Sequence, residues 1–350
     1  MAGNYERIQS LALRAAMVIA VTLTGAGPRA TAATDAEPTI DATPFLGDHY
    51  PTRHTAFPNG VTGISDVAYE SLPGFRPLTL DVYLPSDRKS HHPLVLYIHG
   101  GGWTAGHSRQ SGAFDDFPGV LASLAARGYT VVSLNYRLSS EAPFPAAIQD
   151  VKAAIKFIRA HGDEYSVDQS KGLVWGGSAG GHLAALAALT CGVKELEPEL
   201  PANPSPDAVR VSEQNDCVQG AVTWYGVFDL SMVPSLNGSS APSPTIRKFL
   251  NCANICPAAT LEAASPIHYV TAKSPPFLLV HGSIDKTVAP MQSKHFKEVM
   301  EHAGARADLL MIPSVDHSFI GATPAATRDA SLLALHRTVE FIDFTLKPKS

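Results

Sequence analysis

The sequence predicts an α/β fold: a mostly parallel central sheet, helices on both faces, and a small cap insertion over one end of the strands. Two observations carry this. Short apolar runs alternate with helix-length periodic segments from residue 94 to residue 346, the rhythm of strand–helix–strand crossovers. The runs themselves, such as LVLYIH at 94–99 and TVVSLN at 130–135, are continuously apolar rather than alternating, as strands covered on both faces are.

The first segment is not part of that sheet. Residues 1–14 carry Arg7 and Arg14 against Glu6. Residues 15–28 (AAMVIAVTLTGAGP) are uncharged, and Ala30-Thr31-Ala32 follows as a small-x-small site. The uncharged stretch is shorter than the roughly 20 residues a membrane-spanning helix needs. The pattern therefore predicts a secretory signal over 1–32, a protein secreted to the extracellular space or periplasm, and no stable membrane anchor. A polar leader is expected over 33–60 and the folded domain over 61–348.

The domain then reads in order. Residues 64–69 and 78–83, separated by a Pro-Gly turn, predict an antiparallel edge hairpin. The strand at 94–99 runs into three glycines. A helix over 120–127 ends at Gly128, and a strand follows at 130–135. Ile148, Val151, Ile155 and Ile158 recur at helical spacing after Pro143 and Pro145, and that helix stops near Gly162. A short strand at 172–175 precedes an Ala/Leu-rich helix over 179–189. Strands are expected at 220–224, 277–281 and 309–312, and a last helix over 330–346.

Two stretches break the rhythm. Residues 192–216 are Pro- and Glu-rich and read as a surface loop. Residues 229–264 hold Pro, Ser and Asn, a short helix near 246–250, and two cysteines. They read as the cap insertion, lying over the carboxyl ends of the strands, where open α/β sheets bind ligands. This insertion and residues 41–59 of the leader are the expected pocket walls. Asn237-Gly238-Ser239 forms one glycosylation sequon, and no internal repeat is present.

Composition excludes several classes. Basic side chains number 27 against 32 acidic ones, a net charge of −5, with no basic run; a nucleic-acid partner is not expected. The 27 glycines and 27 prolines in 350 residues stay below the level of low-complexity chains. Cys191, Cys217, Cys252 and Cys256 make an even set, which in a secreted chain suggests two disulfides. Three pairings are open; a small loop closed by Cys252 and Cys256 would leave Cys191 with Cys217. Zinc is disfavoured, since neither CxxC nor HExxH occurs.

The chemistry concentrates in two glycine-rich segments. Gly176-Gly177-Ser178-Ala179-Gly180-Gly181 contains G-x-S-x-G between an apolar strand and a helix. A serine there sits on a sharp strained turn with its hydroxyl exposed, and small neighbours are required. His99-Gly100-Gly101-Gly102-Trp103 follows the 94–99 strand; glycines let backbone N–H groups approach a negatively charged tetrahedral intermediate. The alternative for 176–181 is a plain glycine-rich turn; for 99–103 it is a phosphate-binding loop, which the spacing does not fit, since neither G-x-G-x-x-G nor a Walker pattern is present. A nucleophilic serine needs a base and the base an orienting carboxylate, expected downstream in the order Ser, Asp, His. Asp285 lies on the loop after the 277–281 strand and His317 on the loop after the 309–312 strand. His281 and His268 are the rival bases, Asp229 and Asp316 the rival acids.

With those residues in view, the chain resembles the α/β-hydrolase superfamily. Residues 93–189 resemble the hormone-sensitive-lipase-like esterases through His99–Trp103 (HGGGW), Asn135-Tyr136-Arg137-Leu138, Glu141-Ala142-Pro143-Phe144-Pro145-Ala146-Ala147, Asp150 and GGSAGGH at 176–182. The C-terminal third lacks their Asp-Pro-Leu acid motif. HGSIDKTVAP at 281–290, with Gln292-Ser293, is instead similar to the feruloyl/acetyl-esterase (BD-FAE-like) and prolyl-oligopeptidase-like branch. The resemblance implies Ser178 as nucleophile, His317 as base and Asp285 as acid, with Gly101, Gly102 and Ala179 as oxyanion donors. It implies a serine carboxylesterase working without metal or organic cofactor on small-molecule or polymer-borne esters, short acyl or aryl, with acetyl or feruloyl groups of plant polysaccharide among the candidates. The alternatives are a formamidase or amidase, since HGGxW also occurs in such hydrolases, and a non-catalytic binding module of the same fold.

Overall fold

The structure, a computed structural model, describes residues 53–347 apart from 73 and 234–241. The secretory signal, residues 33–52 of the leader and the sequon at Asn237 lie outside the described residues. Among the described residues nine strands form one sheet: β1 Arg53–Ala56, β2 Thr62–Glu70, β3 Leu78–Leu84, β4 His92–Ile98, β5 Thr130–Leu134, β6 Val167–Gly177, β7 Ala221–Trp224, β8 Phe277–Gly282 and β9 Ala307–Ile312, in the order β1-β2-β3-β5-β4-β6-β7-β8-β9. From β5 through β9 every neighbouring pair is parallel; β1, β2 and β3 add an antiparallel flank.

Period-two alternation divides the apolar strand residues between two cores. Leu94, Leu96 and Ile98 of β4 enter one, Val95 and Tyr97 the other. The first core is covered by α2 (Ala146–Ala160), through Ile148, Val151, Ile155 and Ile158, and by α4 (Ala179–Leu189). The second takes α1 (Phe117–Ala125) and α9 (Pro324–Leu346); α9 is pinned where Trp224 Nε1–H donates to Thr338 Oγ1 at 2.9 Å. Both faces of the parallel strands are thus filled, which is why their sequences are apolar without alternation.

Several expectations need correction. The 64–69/78–83 pair is β2–β3, but it is not the edge, because β1 pairs outside it. Among the described residues the sheet therefore starts at Arg53, inside the stretch assigned to the leader, whose residues 53–56 join the antiparallel flank. The strand at 172–175 extends back to Val167 through Asp168-Gln169-Ser170-Lys171, whose polar side chains mask it. One helical turn, α3 (Gly162–Tyr165), follows α2. The 192–216 loop contains α5 (Pro206–Ser212), capped by the Ser205 hydroxyl. The insertion contains α6 (Pro244–Leu250) and also α7 (Ala258–Ala263). A helix absent from the sequence reading, α8 (Met291–His302), connects β8 to β9. The last helix starts at Pro324, where Thr323 caps it.

The cysteines pair as Cys191–Cys217 and Cys252–Cys256, with Cα–Cα distances of 4.9 and 5.1 Å. The first ties down the segment after α4. Behind it, buried Lys152 of α2 donates to the Thr190 carbonyl at 2.6 Å and pairs with Glu197 at 2.9 Å and Asp216 at 2.7 Å. Arg159 of the same helix holds the Asn215 and Cys217 carbonyls.

Candidate active site

Ser178 stands alone between β6 and α4, with φ 55° and ψ −121°. That left-handed conformation is unfavourable for a residue with a Cβ, and close packing holds it. A Cβ on Gly180 would lie 2.0 Å from the Ile98 carbonyl oxygen, and one on Gly176 2.3 Å from that of Gly180. Only glycine permits strand β4, strand β6 and the start of α4 to converge under the serine.

The loops after β8 and β9 bring in two more groups. His317 Nε2 lies 3.0 Å from Ser178 Oγ, and His317 Nδ1 lies 2.8 Å from Asp285 Oδ2. The Asp285 carboxylate only accepts, so Nδ1 carries the proton and Nε2 offers its lone pair to the serine hydroxyl. The other oxygen, Asp285 Oδ1, accepts from the Thr287 and Val288 N–H groups at 2.9 and 2.8 Å. Burial works against the Asp285 charge, but the hydrogen bonds from His281, His317 and Val288 outweigh it and hold the carboxyl well below its usual range.

The rival residues take other places. His281 is fully buried between Ser293 Oγ and the Val288 carbonyl, and its Nε2 lies 3.3 Å from Asp285 Oδ2, so it braces the acid and does not face the serine. His268 is exposed on a one-turn 3-10 helix. Asp229 caps its own turn through Ser231. Asp316 accepts from the Lys286 and His317 backbone N–H groups, stitching the two loops together without touching the imidazole.

The HGGGW loop lies directly against the serine turn: a Cβ on Gly100 would stand 2.8 Å from the Gly177 carbonyl oxygen and 3.4 Å from Ser178 Cβ. Gly101 (φ 113°) and Gly102 (φ 60°) turn the chain there, closed by Thr104 and Ala105 N–H groups donating to the Gly101 carbonyl. Among the described residues the N–H groups of Gly101, Gly102 and Ala179 have no hydrogen-bond acceptor, and Ala179 opens α4, where such groups are left unpaired by the helix itself. His99 is buried, stacked on Tyr136 and bonded to the Gly100 carbonyl; burial lowers its pKa to about 4, so it stays neutral.

Motif residues hold the 135–141 segment, which in turn braces this loop. Arg137 forks onto buried Asp150, and Glu141 receives Arg76. Ser139 donates both its N–H and its hydroxyl to the Trp103 carbonyl. The insertion reaches the same loop. Thr245 of α6 is the nearest side chain to Gly102, 3.2 Å from a Cβ placed there, and Phe249 stacks on Trp103 with ring centroids 4.6 Å apart. Tyr225, after β7, belongs to no motif of the sequence reading; its ring lies 4.6 Å from that of His317. Gln292 enters that reading only as part of a motif. Its side chain accepts from the Phe228 and Asp229 N–H groups, fixing the start of the insertion.

Among the described residues no group of His, Cys, Asp and Glu is placed to hold a metal, and no helix is long and apolar enough to cross a membrane.

Comparison with known proteins points one way. The BD-FAE family profile matches residues 80–300. The chain is 30% identical to Esterase LipQ of Mycobacterium tuberculosis, over 77% of this chain and 60% of LipQ. It is 31% identical to Esterase LipC of the same organism, over 74% of this chain and 62% of LipC. It therefore spans about three fifths of the length of these relatives. Among solved structures, a truncated carbohydrate esterase from gut microbiota superposes with a TM-score of 0.67 at 26% identity, covering 83% of this chain and 98% of that one. Thermogutta terrifontis esterase 2, phosphonylated by sarin, superposes with a TM-score of 0.64 at 27% identity, covering 81% and 96%.

Proposed function

The chain belongs to the BD-FAE family of the α/β-hydrolase superfamily, and on that footing we propose that it is a serine carboxylic-ester hydrolase. It acts through an acyl-enzyme on short acyl or aryl esters, acetyl or feruloyl esters of plant polysaccharide among them. The observation that carries this reading is the unbroken chain Ser178 Oγ, His317, Asp285, at 3.0 and 2.8 Å.

The steps follow from that chain. His317 Nε2 takes the hydroxyl proton as Ser178 Oγ bonds to the ester carbonyl carbon, and Asp285 stabilises the imidazolium. The carbonyl oxygen becomes an oxyanion facing the unpaired N–H groups of Gly101, Gly102 and Ala179, each such donor typically contributing about 10²–10³ in rate. The intermediate collapses, the C–O bond to the alcohol breaks, and His317 returns the proton to the leaving oxygen. Water then repeats the sequence on the acyl-enzyme, releasing the acid and restoring Ser178. The insertion 229–264 supplies one wall of the substrate pocket, a role supported by Thr245 beside Gly102. The neighbouring carbohydrate esterase supports the sugar-ester preference. Esterase 2 of Thermogutta terrifontis, also solved with propionate bound, supports the short acyl group.

Secretion is part of the same proposal, supported by the N-terminal charge and hydropathy pattern and by two disulfides among the described residues. One experiment tests both. The full chain is expressed in a secreting host, recovered outside the cytoplasm with its N-terminus read, and assayed beside Ser178→Ala on p-nitrophenyl esters from acetate to palmitate and on methyl ferulate. Export with cleavage near Ala32–Ala33 is expected, and a loss on the order of 10⁶ in kcat in the variant. Folded protein inactive on every ester refutes the esterase; retention in the cytoplasm refutes secretion alone.

A further inference from the structure

The loop that carries two of the oxyanion donors ends in Trp103, whose side chain takes no part in the proposed steps. It is buried, on a left-handed backbone with φ 57°. Its indole Nε1–H donates to His182 Nδ1 at 3.2 Å, and the rings meet edge to face at 5.1 Å. His182 lies on α4, one turn beyond Ser178, with no exposed surface. Its other nitrogen, Nε2, donates to the Ala264 carbonyl at 2.7 Å. An indole N–H can only donate and a carbonyl can only accept, so the imidazole is confined to one neutral tautomer. Burial lowers its pKa to about 4, which keeps that tautomer through the neutral range. Phe249 of α6 closes the group, stacked on Trp103 and edge-on to His182 at 5.6 Å.

Three parts of the site meet in this bonded chain: the glycine loop, the helix that begins at the nucleophile, and the last residue of the insertion. A buried imidazole with both nitrogens engaged is a more demanding filler than leucine, since either unmet nitrogen is penalised. We propose that Trp103 and His182 are positioning residues. They fix the Gly101 and Gly102 amides relative to Ser178 and make that alignment depend on the insertion through Ala264 and Phe249. The proposal deepens the esterase reading and rests on it.

The test compares wild type with Trp103→Phe, His182→Gln and His182→Leu. Phe keeps a ring against Phe249 and loses the N–H. Gln can accept from the indole with its oxygen and donate to Ala264 with its nitrogen; Leu can do neither. Four quantities are read: kcat and KM on p-nitrophenyl acetate, the inhibition constant of phenylboronic acid, the fraction of sites titrated by a p-nitrophenyl phosphonate, and Tm. The boronate adduct on Ser178 places an oxygen where the oxyanion forms, so its affinity reports donor alignment directly. Trp103→Phe and His182→Leu should lower kcat and weaken the boronate by matching factors, on the order of tenfold to a hundredfold. KM and titratable sites should stay near wild type, and His182→Gln should recover most of the loss. Should His182→Leu fail to fold, Trp103→Phe carries the comparison. Variants that lower Tm while kcat and boronate affinity stay at wild-type levels reduce the chain to packing and overturn the proposal. Wild-type protein inactive on every ester is a different result, since it removes the esterase reading itself.

Discussion

Replacing Asp285 by Asn tests the acid assignment more sharply than deleting it, because the surroundings dictate which way the amide must point. Asp285 Oδ1 receives two backbone N–H groups, from Thr287 and Val288. An amide nitrogen at that position would face two donors, so the amide oxygen must take it. The NH₂ group is then delivered to the place of Oδ2, 2.8 Å from His317 Nδ1. An amide N–H there donates to Nδ1, drives the imidazole proton to Nε2, and points that N–H at Ser178 Oγ. The base then has no lone pair for the serine proton. The side chain keeps its size and its two backbone bonds and loses the 3.3 Å contact of Oδ2 with His281 Nε2, which stays bonded to the Val288 carbonyl, so the fold should persist with a modestly lowered Tm. An inverted tautomer in a triad lowers kcat by about 10⁴, equivalent to about 5 kcal/mol of barrier. The assay is kcat on p-nitrophenyl acetate at pH 8, with Tm measured in parallel. An Asp285→Asn protein retaining more than a tenth of wild-type kcat would refute the reasoning and turn attention to Asp316, whose carboxylate bonds the Lys286 and His317 backbone N–H groups and pairs with the Lys286 side chain at 3.6 Å.

Two further predictions concern the scaffold. Burial first, and then the nearby Asp150 charge, raise the Glu70 carboxyl from 4.5 to about 7; the folded state therefore binds more protons between those values, and stability falls as pH rises through that window. Glu70→Gln should accordingly raise stability at pH 8 by about 1–3 kcal/mol and leave it little changed at pH 4, and urea unfolding with equal gains at both pH values would contradict the assignment. Lys152→Met should cost about 3–5 kcal/mol in urea unfolding, because buried Asp216 loses its partner while Glu197 keeps Lys156; a loss under about 1 kcal/mol would mean that Asp216 does not depend on Lys152 for its charge.

What the sequence makes legible follows from how many constraints each residue answers to. The turn at Ser178 and the loop at Gly100–Gly102 are readable because backbone crowding leaves glycine as the sole solution, and a run of glycines beside an apolar strand is visible in one dimension. Ser178, His317 and Asp285 are brought together because their loops leave the same ends of β6, β9 and β8. Helix α8 escapes the sequence reading for a physical reason. Its inward face carries Gln292 and Ser293 beside Phe296 and Met300, since it must bond His281 and the Phe228–Asp229 turn as well as fill the core; the inward apolar spacing is confined to Phe296, Val299 and Met300 in the second half of the helix, a short run to read. The polar opening of β6 escapes in the same way, its Gln169 and Ser170 being exposed. The Trp103–His182 bond joins residues from two recognisable motifs, yet 79 positions of sequence separate them, and neither motif announces the other.

The bond from His182 to the Ala264 carbonyl also sets terms for anyone exchanging the segment between β7 and β8 to change what the protein accepts. The segment leaves and rejoins the sheet at two neighbouring strands, so it is detachable by connectivity. It is not detachable by hydrogen bonding. A transplanted segment that does not return a carbonyl oxygen to the position of Ala264 leaves an imidazole N–H unanswered at the base of α4, a penalty of about 1–3 kcal/mol. It would also release the indole on which the glycine loop leans. The joint for such exchanges therefore belongs on the far side of Ala264, with that residue and its backbone retained as part of the host.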